Sequence, residues 1–151
     1  LATAVNTAKE QYALEGIVTG GLASRYQKQR FETVCTEAGL KHVSPFWLKD
    51  PETYMRNIIR SDFNVILVGV AAEGLDKSWL GRTVNESMID ELKELNRRLG
   101  VHIAFEGGEA ETFVLDCPLF TRSIEILDME THWSGDHGFM EIKDARLVAK
   151  A

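Results

Sequence analysis

Residues 65–70 read Val-Ile-Leu-Val-Gly-Val, the most hydrophobic run in a chain of 151 residues. Asn64 precedes this run, and Gly74 follows it after a short interval. A short, continuous apolar run between such residues is typical of a strand that is buried on both faces of a parallel sheet. We therefore predict a central parallel strand at this position.

The chain before this strand alternates between helical and extended patterns. Helices are predicted over residues 1–14, 25–38 and 51–60, and short strands over residues 17–19 and 42–46. Ser24 and Asp50 occupy positions typical of helix N-caps, and Pro51 suits a first helical position. Because helices and strands alternate, we expect right-handed crossovers and a doubly wound parallel sheet.

The pattern changes after Leu75. Thr83 has capping-box spacing to Glu86, which predicts a helix that ends before Gly100. Strand patterns then follow at residues 101–105, 112–115, 123–127, 139–142 and 145–148. We predict an α/β fold with a partial doubly wound parallel sheet in residues 1–75, followed by a smaller α+β domain with mainly antiparallel strands in residues 76–151.

The composition argues against several classes of function. The net charge of −6 disfavours nonspecific binding of nucleic acid or of an anionic membrane. No apolar run approaches the roughly 20 residues of a membrane span, and the first residues lack a signal-peptide pattern. Cys35 and Cys117 are far apart and have no zinc-ligand spacing. We therefore expect a cytoplasmic protein without a membrane or nucleic-acid partner.

Negative charge is concentrated in residues 106–116, which read Glu-Gly-Gly-Glu-Ala-Glu-Thr-Phe-Val-Leu-Asp, with no Lys or Arg between residues 99 and 121. Gly107 and Gly108 lie between two strand patterns and predict a hairpin turn. Glu106 and Glu109 would then face each other, and like charges in cross-strand positions are destabilising. A bound cation, an ammonium group or a donor-rich ligand would remove this repulsion. Alternatively, the segment is a solvated hairpin tip, where water screens the repulsion between the two carboxylates.

Other polar segments are weaker candidates. The loops at residues 20–24 and 71–76 follow predicted strands, where ligands of parallel sheets bind, but their glycine spacing matches no phosphate-binding fingerprint. His102 is either a proton carrier or a half-buried side chain. His132, Asp136 and His137 lack the ligand spacing of a metal site, so we predict a polar turn there and no metal ligands.

Several of these segments occur in the order found in one enzyme family. They are residues 20–27 with Arg30, Trp47 with Asp50, residues 74–75 and 79–82, and residues 106–112 with Asp116 and Pro118. This arrangement resembles the diphthine-ammonia ligase family, a branch of the N-type ATP pyrophosphatases. The likeness extends from about Leu14 to the end of the chain, and the acidic segment is its most specific part.

The resemblance implies a Rossmann-like nucleotide-binding domain of the HUP type, a smaller second domain, and an active site in the cleft between them. It implies an ATP-dependent ligase that adenylates the diphthine carboxylate of translation elongation factor two. Ammonia then displaces AMP to give diphthamide, and pyrophosphate is also released. ATP, magnesium and ammonium would take part, and a homo-oligomer is compatible with the resemblance. The family's Ser-Gly-Gly-Lys-Asp-Ser pyrophosphate loop would precede Leu1, so this chain alone is expected to be inactive.

The resemblance also suggests roles for individual residues. Glu106, Glu109 and Glu111 would be catalytic and would receive ammonium or the cationic head of diphthine. Trp47 and Trp79 would offer aromatic faces to a quaternary ammonium group. The expected nucleotide or substrate contacts also include Gly20, Gly21, Ser24, Tyr26, Gln27, Gly81, Arg82, Gly107, Gly108 and Thr112. Two alternatives stay open: another ATP pyrophosphatase, such as an RNA-modifying adenylating enzyme, or a non-catalytic module that binds a cationic partner.

Overall fold

The structure is a computed structural model that describes residues 1–150. The chain forms two compact units, Leu1–Lys49 and a second unit that begins at Asp50. Helices and strands occur in both units, and the parallel and antiparallel sheets are separate. The predicted α/β class with an antiparallel second part is therefore confirmed.

The first unit contains α1 (Ala2–Tyr12), β1 (Gly16–Val18), α2 (Arg25–Ala38) and β2 (Lys41–Val43). β1 and β2 pair in parallel, with Val18 opposite Val43. Ser24 caps α2 as predicted, because its Oγ accepts a hydrogen bond from Gln27 N at 3.4 Å. A small core of Val5, Cys35 and Leu40 joins the helices to the strands. The parallel sheet therefore has two strands in the described part of the chain.

The second unit contains α3 (Pro51–Arg60), β3 (Asn64–Val70), a short 3₁₀ helix (Lys77–Trp79), α4 (Glu86–Leu99), β4 (Ala110–Asp116), β5 (Arg122–Ser134) and β6 (His137–Ala149). Asp50 caps α3 as predicted, through Thr53 N at 2.8 Å. α4 is capped by Asn85 and not by Thr83. The strands form one sheet in the order β4-β3-β6-β5, and Leu67, Met88 and Leu92 are fully buried in the core.

The prediction that β3 is a parallel strand was wrong. β3 pairs antiparallel with β4, and with β6 through Gly69↔Phe139 and Val70↔Gly138. A continuous apolar run reports burial on two faces but carries no information on the direction of the neighbouring strands. These pairings place β3 in the second unit, so the compact units divide at Lys49 and Asp50, earlier than the predicted boundary after residue 75.

Residues 101–109 form turns and not the predicted strand, so Gly107 and Gly108 are not the centre of a hairpin. Phe105 N donates to His102 O at 2.9 Å, and Gly108 N donates to Phe105 O at 3.2 Å. The apolar alternation has another cause, because Val101 and Phe105 are buried and anchor the segment to the core. β4 begins at Ala110 and pairs with β3 instead.

The strands predicted after β4 are confirmed and are longer than expected, whereas β2 of the first unit ends at Val43 and is shorter than the predicted strand over residues 42–46. Residues 123–127 belong to β5, while residues 139–142 and 145–148 are parts of the single strand β6. The β5–β6 connection is a two-residue turn in which Gly135 has a φ of 63°. Within residues 1–150, no helix combines the length and apolar character needed to cross a membrane.

Candidate active site

The acidic loop, defined as residues 101–109, is held by two of its own side chains. Glu109 accepts two backbone hydrogen bonds, from His102 N to Oε1 and from Gly107 N to Oε2, each at 2.9 Å. His102 Nδ1 accepts from Ala104 N at 3.2 Å and from Glu106 N at 3.4 Å. The carboxylate of Glu109 therefore organises the loop. The prediction that Glu109 faces Glu106 across a hairpin was wrong.

Glu106 lies near α3. Burial raises the pKa of the Tyr54 phenol, and the negative charge of Glu106 adds to this effect. Tyr54 was not among the predicted site residues, because its helical spacing indicated only an inward-facing position. The loop conformation brings the second unit's first helix and the acidic motif together, which the sequence did not reveal.

Glu111 is exposed in β4 opposite Gly69 of β3. A Cβ atom at Gly69 would lie 3.1 Å from the Cβ of Glu111 and 3.3 Å from its Cγ. The glycine therefore leaves room for the stem of the glutamate. Thr112 follows in β4 opposite Leu67.

A cavity of about 360 Å³ lies beside this motif, between α3, β3 and β4. This volume lies in the range of sites that hold small organic ligands. The walls are mainly apolar, and Tyr54, Glu111 and Thr112 supply the polar groups. The lining residues are Tyr54, Met55, Ile58, Phe63, Val65, Val84, Ala104, Phe105, Ala110, Glu111, Thr112 and Val114.

Trp79 and Arg82 contact each other. Trp79 is only 6% exposed, and the Arg82 guanidinium lies 4.3 Å from the centre of its ring. Arg82 also forms a bidentate ion pair with Glu91, at 2.5 and 3.0 Å. The aromatic face that was predicted to receive a quaternary ammonium group therefore carries an arginine. Gly81 lies between Trp79 and Arg82 in the sequence, has a φ of 79° and donates from its N to Leu67 O at 2.8 Å.

The predicted contacts of the first unit lie around the start of α2. A cavity of about 20 Å³ brings together Gly21, Ser24, Gln27 and Trp47, and Lys28 Nζ lies 5.2 Å from the centre of the Trp47 ring. Gly20 has open space beside it, since a Cβ there would meet no atom within 4 Å. Tyr26 does not line this cavity. Its hydroxyl instead accepts a hydrogen bond from Arg30 Nη1 at 2.8 Å.

Three polar residues of the first unit were missed by the sequence analysis. Thr19 Oγ1 lies 2.9 Å from His42 Nε2 and 2.9 Å from Ser44 Oγ. Thr19 and Ser44 follow the carboxyl ends of β1 and β2 and also line the small cavity, and His42 is the middle residue of β2. Parallel pairing of the two predicted strands was the signal that could have revealed this contact. It places Thr19, which follows Val18, next to Ser44, which follows Val43.

On the β5–β6 hairpin, Glu130, His132 and Glu141 are the one group with metal-ligand spacing found within residues 1–150. Lys143 Nζ lies 2.7 Å from Glu141 and 3.2 Å from Glu130, so its ammonium group already balances both carboxylates. The predicted polar turn follows, and His137 Nδ1 lies 3.2 Å from Asp136 Oδ1.

Comparison with known proteins identifies the family. The model of the diphthamide synthase C-terminal domain matches residues 50–148, and the model of the N-terminal domain matches residues 3–42. The chain belongs to the diphthamide synthase family. The C-terminal match begins at Asp50, which is also the first residue of the second compact unit.

Curated relatives agree with this membership of the diphthamide synthase family. A protein of Schizosaccharomyces pombe is 43% identical over 132 residues, which are 86% of this chain and 22% of the relative. A Homo sapiens protein is 42% identical over 117 residues, which are 77% of this chain and 43% of the relative. A Mus musculus protein is 39% identical over 140 residues, which are 92% of this chain and 52% of the relative. Each is named diphthine–ammonia ligase. The chain thus spans about half or less of the length of these relatives.

Proposed function

We propose that this chain is part of an ATP-dependent ligase that converts diphthine on translation elongation factor two to diphthamide. The diphthine carboxylate is adenylated, ammonia attacks the acyl adenylate, and AMP and pyrophosphate are released. The match of both units to diphthamide synthase carries the proposal, since it includes the acidic loop. The same match does not favour an RNA-modifying enzyme or a non-catalytic module. A cytoplasmic location fits a substrate on a translation factor.

The acidic motif is proposed to receive ammonia. Ammonium must lose a proton before it attacks, so its site needs negative charge and a proton acceptor. Glu106 and Glu111 are our candidates for these tasks. Glu109 has both carboxylate oxygens bonded to backbone N–H groups, so its proposed role is to hold the loop.

The cavity beside Glu111 is proposed to accommodate the organic part of the substrate. Diphthine carries a quaternary ammonium group, which is stabilised by aromatic faces and nearby carboxylates. Tyr54 lines the cavity and is close to the charge of Glu106, while Phe63 and Phe105 complete an apolar wall. We therefore assign to these residues the contact with the quaternary ammonium group that the resemblance suggested for Trp79.

The first unit is proposed to contact ATP. Gly20 and Gly21 allow close approach to the backbone at the carboxyl end of β1, and the capped start of α2 favours negative charge. Ser24 and Gln27 add polar side chains. Magnesium fits this chemistry as a partner of the ATP phosphates, which usually supply several of its oxygen ligands. We assign it no protein ligand.

The test measures AMP formation by the full-length protein with ATP, ammonium and diphthine-bearing elongation factor two. We expect AMP to form only when all three are present. Glu106→Gln and Glu111→Gln should each lower the rate at limiting ammonium by roughly 100-fold or more, the usual size of lost acid–base catalysis. Glu125→Gln is the matched control, because Glu125 pairs with Arg146 on the β5–β6 hairpin. Unchanged rates in both test variants would refute the assigned roles.

A further inference from the structure

We propose that His102 and Glu109 are positioning residues, which fix the acidic loop so that Glu106 is presented to the substrate. The inference rests on the proposed function of Glu106. Neither positioning residue needs to touch the substrate, because each acts through backbone groups of the loop.

The ends of the acidic loop are anchored without these side chains. Asn96 Nδ2 of α4 donates to Val101 O at 2.9 Å, and Ala71 N donates to Glu109 O at 2.8 Å. Phe105 is 8% exposed and joins the hydrophobic core. These contacts hold the loop at its two ends and at one point in the middle.

The side chains of His102 and Glu109 bind the N–H groups on either side of the Glu106 Cα. His102 Nδ1 accepts from Glu106 N, and Glu109 Oε2 accepts from Gly107 N. Both peptide groups next to Glu106 are therefore oriented by a side chain. A small displacement of a reacting group can cost up to about 100-fold in rate, so this restraint bears directly on catalysis.

Gly107 shows that the arrangement depends on a close approach. A Cβ atom at this position would lie 2.6 Å from Glu109 Oε1 and 2.9 Å from its Cδ. Any larger residue would displace the carboxylate from the two N–H groups that it accepts. The glycine thus serves the positioning of Glu109, whereas Gly108 serves the turn through its φ of 84°.

The geometry also defines the tautomer of His102. Nδ1 accepts hydrogen bonds from Ala104 N and Glu106 N, so it carries no proton. In a neutral imidazole the proton is then on Nε2. Asn at this position would retain an acceptor close to where Nδ1 lies, whereas Gln would place its acceptor near Nε2. This difference provides a conservative variant that should restore the loop.

The first experiment examines the loop in the full-length protein. With ¹⁵N-histidine labelling at pH 8, we expect the His102 nitrogens to show the shifts of the Nε2–H tautomer. By hydrogen–deuterium exchange, the peptide covering residues 101–109 should exchange roughly 10-fold faster in His102→Gln and Glu109→Gln, since lost hydrogen bonds permit local opening. In His102→Asn, the exchange rate of this peptide should stay close to that of the unmodified protein. An Nδ1–H tautomer, or unchanged exchange in both test variants, would overturn the proposal.

The second experiment measures ammonium-dependent AMP formation by the same proteins. His102→Gln and Glu109→Gln should raise the KM for ammonium roughly 10-fold, and His102→Asn should restore it to within about twofold. His137→Gln is the control, because His137 is exposed at the start of β6. Faster loop exchange without a kinetic change would overturn the positioning role. Absence of AMP formation by the unmodified protein would instead refute the proposed function, and loop exchange would still decide whether both side chains hold the loop.

Discussion

Replacing Gly107 with Ala tests how the carboxylate of Glu109 is held. The backbone of Gly107 is outside the positive-φ region, so Ala can adopt it, and the cost comes from the contact with Glu109. The carboxylate must move and lose its hydrogen bonds from His102 N and Gly107 N. At about 0.5–1 kcal/mol for each net hydrogen bond, we expect the free energy of unfolding to fall by about 1–2 kcal/mol.

A double-mutant cycle isolates this effect. Glu109→Ala removes the same two hydrogen bonds, so Gly107→Ala should cost almost nothing more in that background. The expected coupling free energy is about 1–2 kcal/mol. Gly108→Ala is the matched control: its added Cβ meets no neighbour, and its cost of about 1 kcal/mol comes from the positive φ and should add to that of Glu109→Ala.

Urea denaturation followed by tryptophan fluorescence provides the assay, because Trp79 and Trp133 both lie in the second unit. Additive losses for Gly107→Ala and Glu109→Ala would refute the reasoning, since they would mean that the two residues act independently. A coupling of the same size for Gly108→Ala would refute it as well, because the effect would then belong to the turn and not to the carboxylate.

Three further predictions concern the second unit. Leu92→Ala should lower the free energy of unfolding by about 2–5 kcal/mol in urea titrations, because Leu92 is fully buried; a loss below 1 kcal/mol would contradict its place in the core. Arg56→Met should lower the Tm, because Arg56 pairs with carboxylates of α3 and α4, and 1 M NaCl should shrink the difference in calorimetry. Lys150 and Ser123 hold the pKa of Asp116 below its ordinary value of 3.8, so this carboxylate stabilises the fold above that pH and the contribution is lost below it. Asp116→Asn should therefore flatten the acid side of the Tm profile, and an unchanged profile would contradict the Lys150 contact.

The sequence predicted local features well, because their causes are local. Ser24 and Asp50 cap helices through the residue three positions later, and Gly39 and Gly100 end helices with positive φ values. The direction of β3 could not be predicted in this way. It depends on β4 and β6, which lie far along the chain, and both parallel and antiparallel neighbours bury an apolar strand.

The candidate site shows the same division between local and distant causes. The acidic motif was found from its composition, and the membership of the chain in the family that the motif suggested is confirmed. The different tasks of its glutamates were not predictable, because they depend on the turns of residues 101–109. Tyr54 was missed for a related reason, since only the folded chain brings α3 close to Glu106.

The pairing of β3 has a consequence for synthesis on the ribosome. Gly69 and Val70 find their partners in β6 only after Phe139 has been translated, so this strand emerges with one edge incomplete. Residues 81–84 protect part of that edge much sooner, because Gly81 N donates to Leu67 O and Val84 N donates to Val65 O, both at 2.8 Å. Residues 81–84 can therefore cover part of this edge before the sheet is completed, which reduces the edge open to intermolecular pairing.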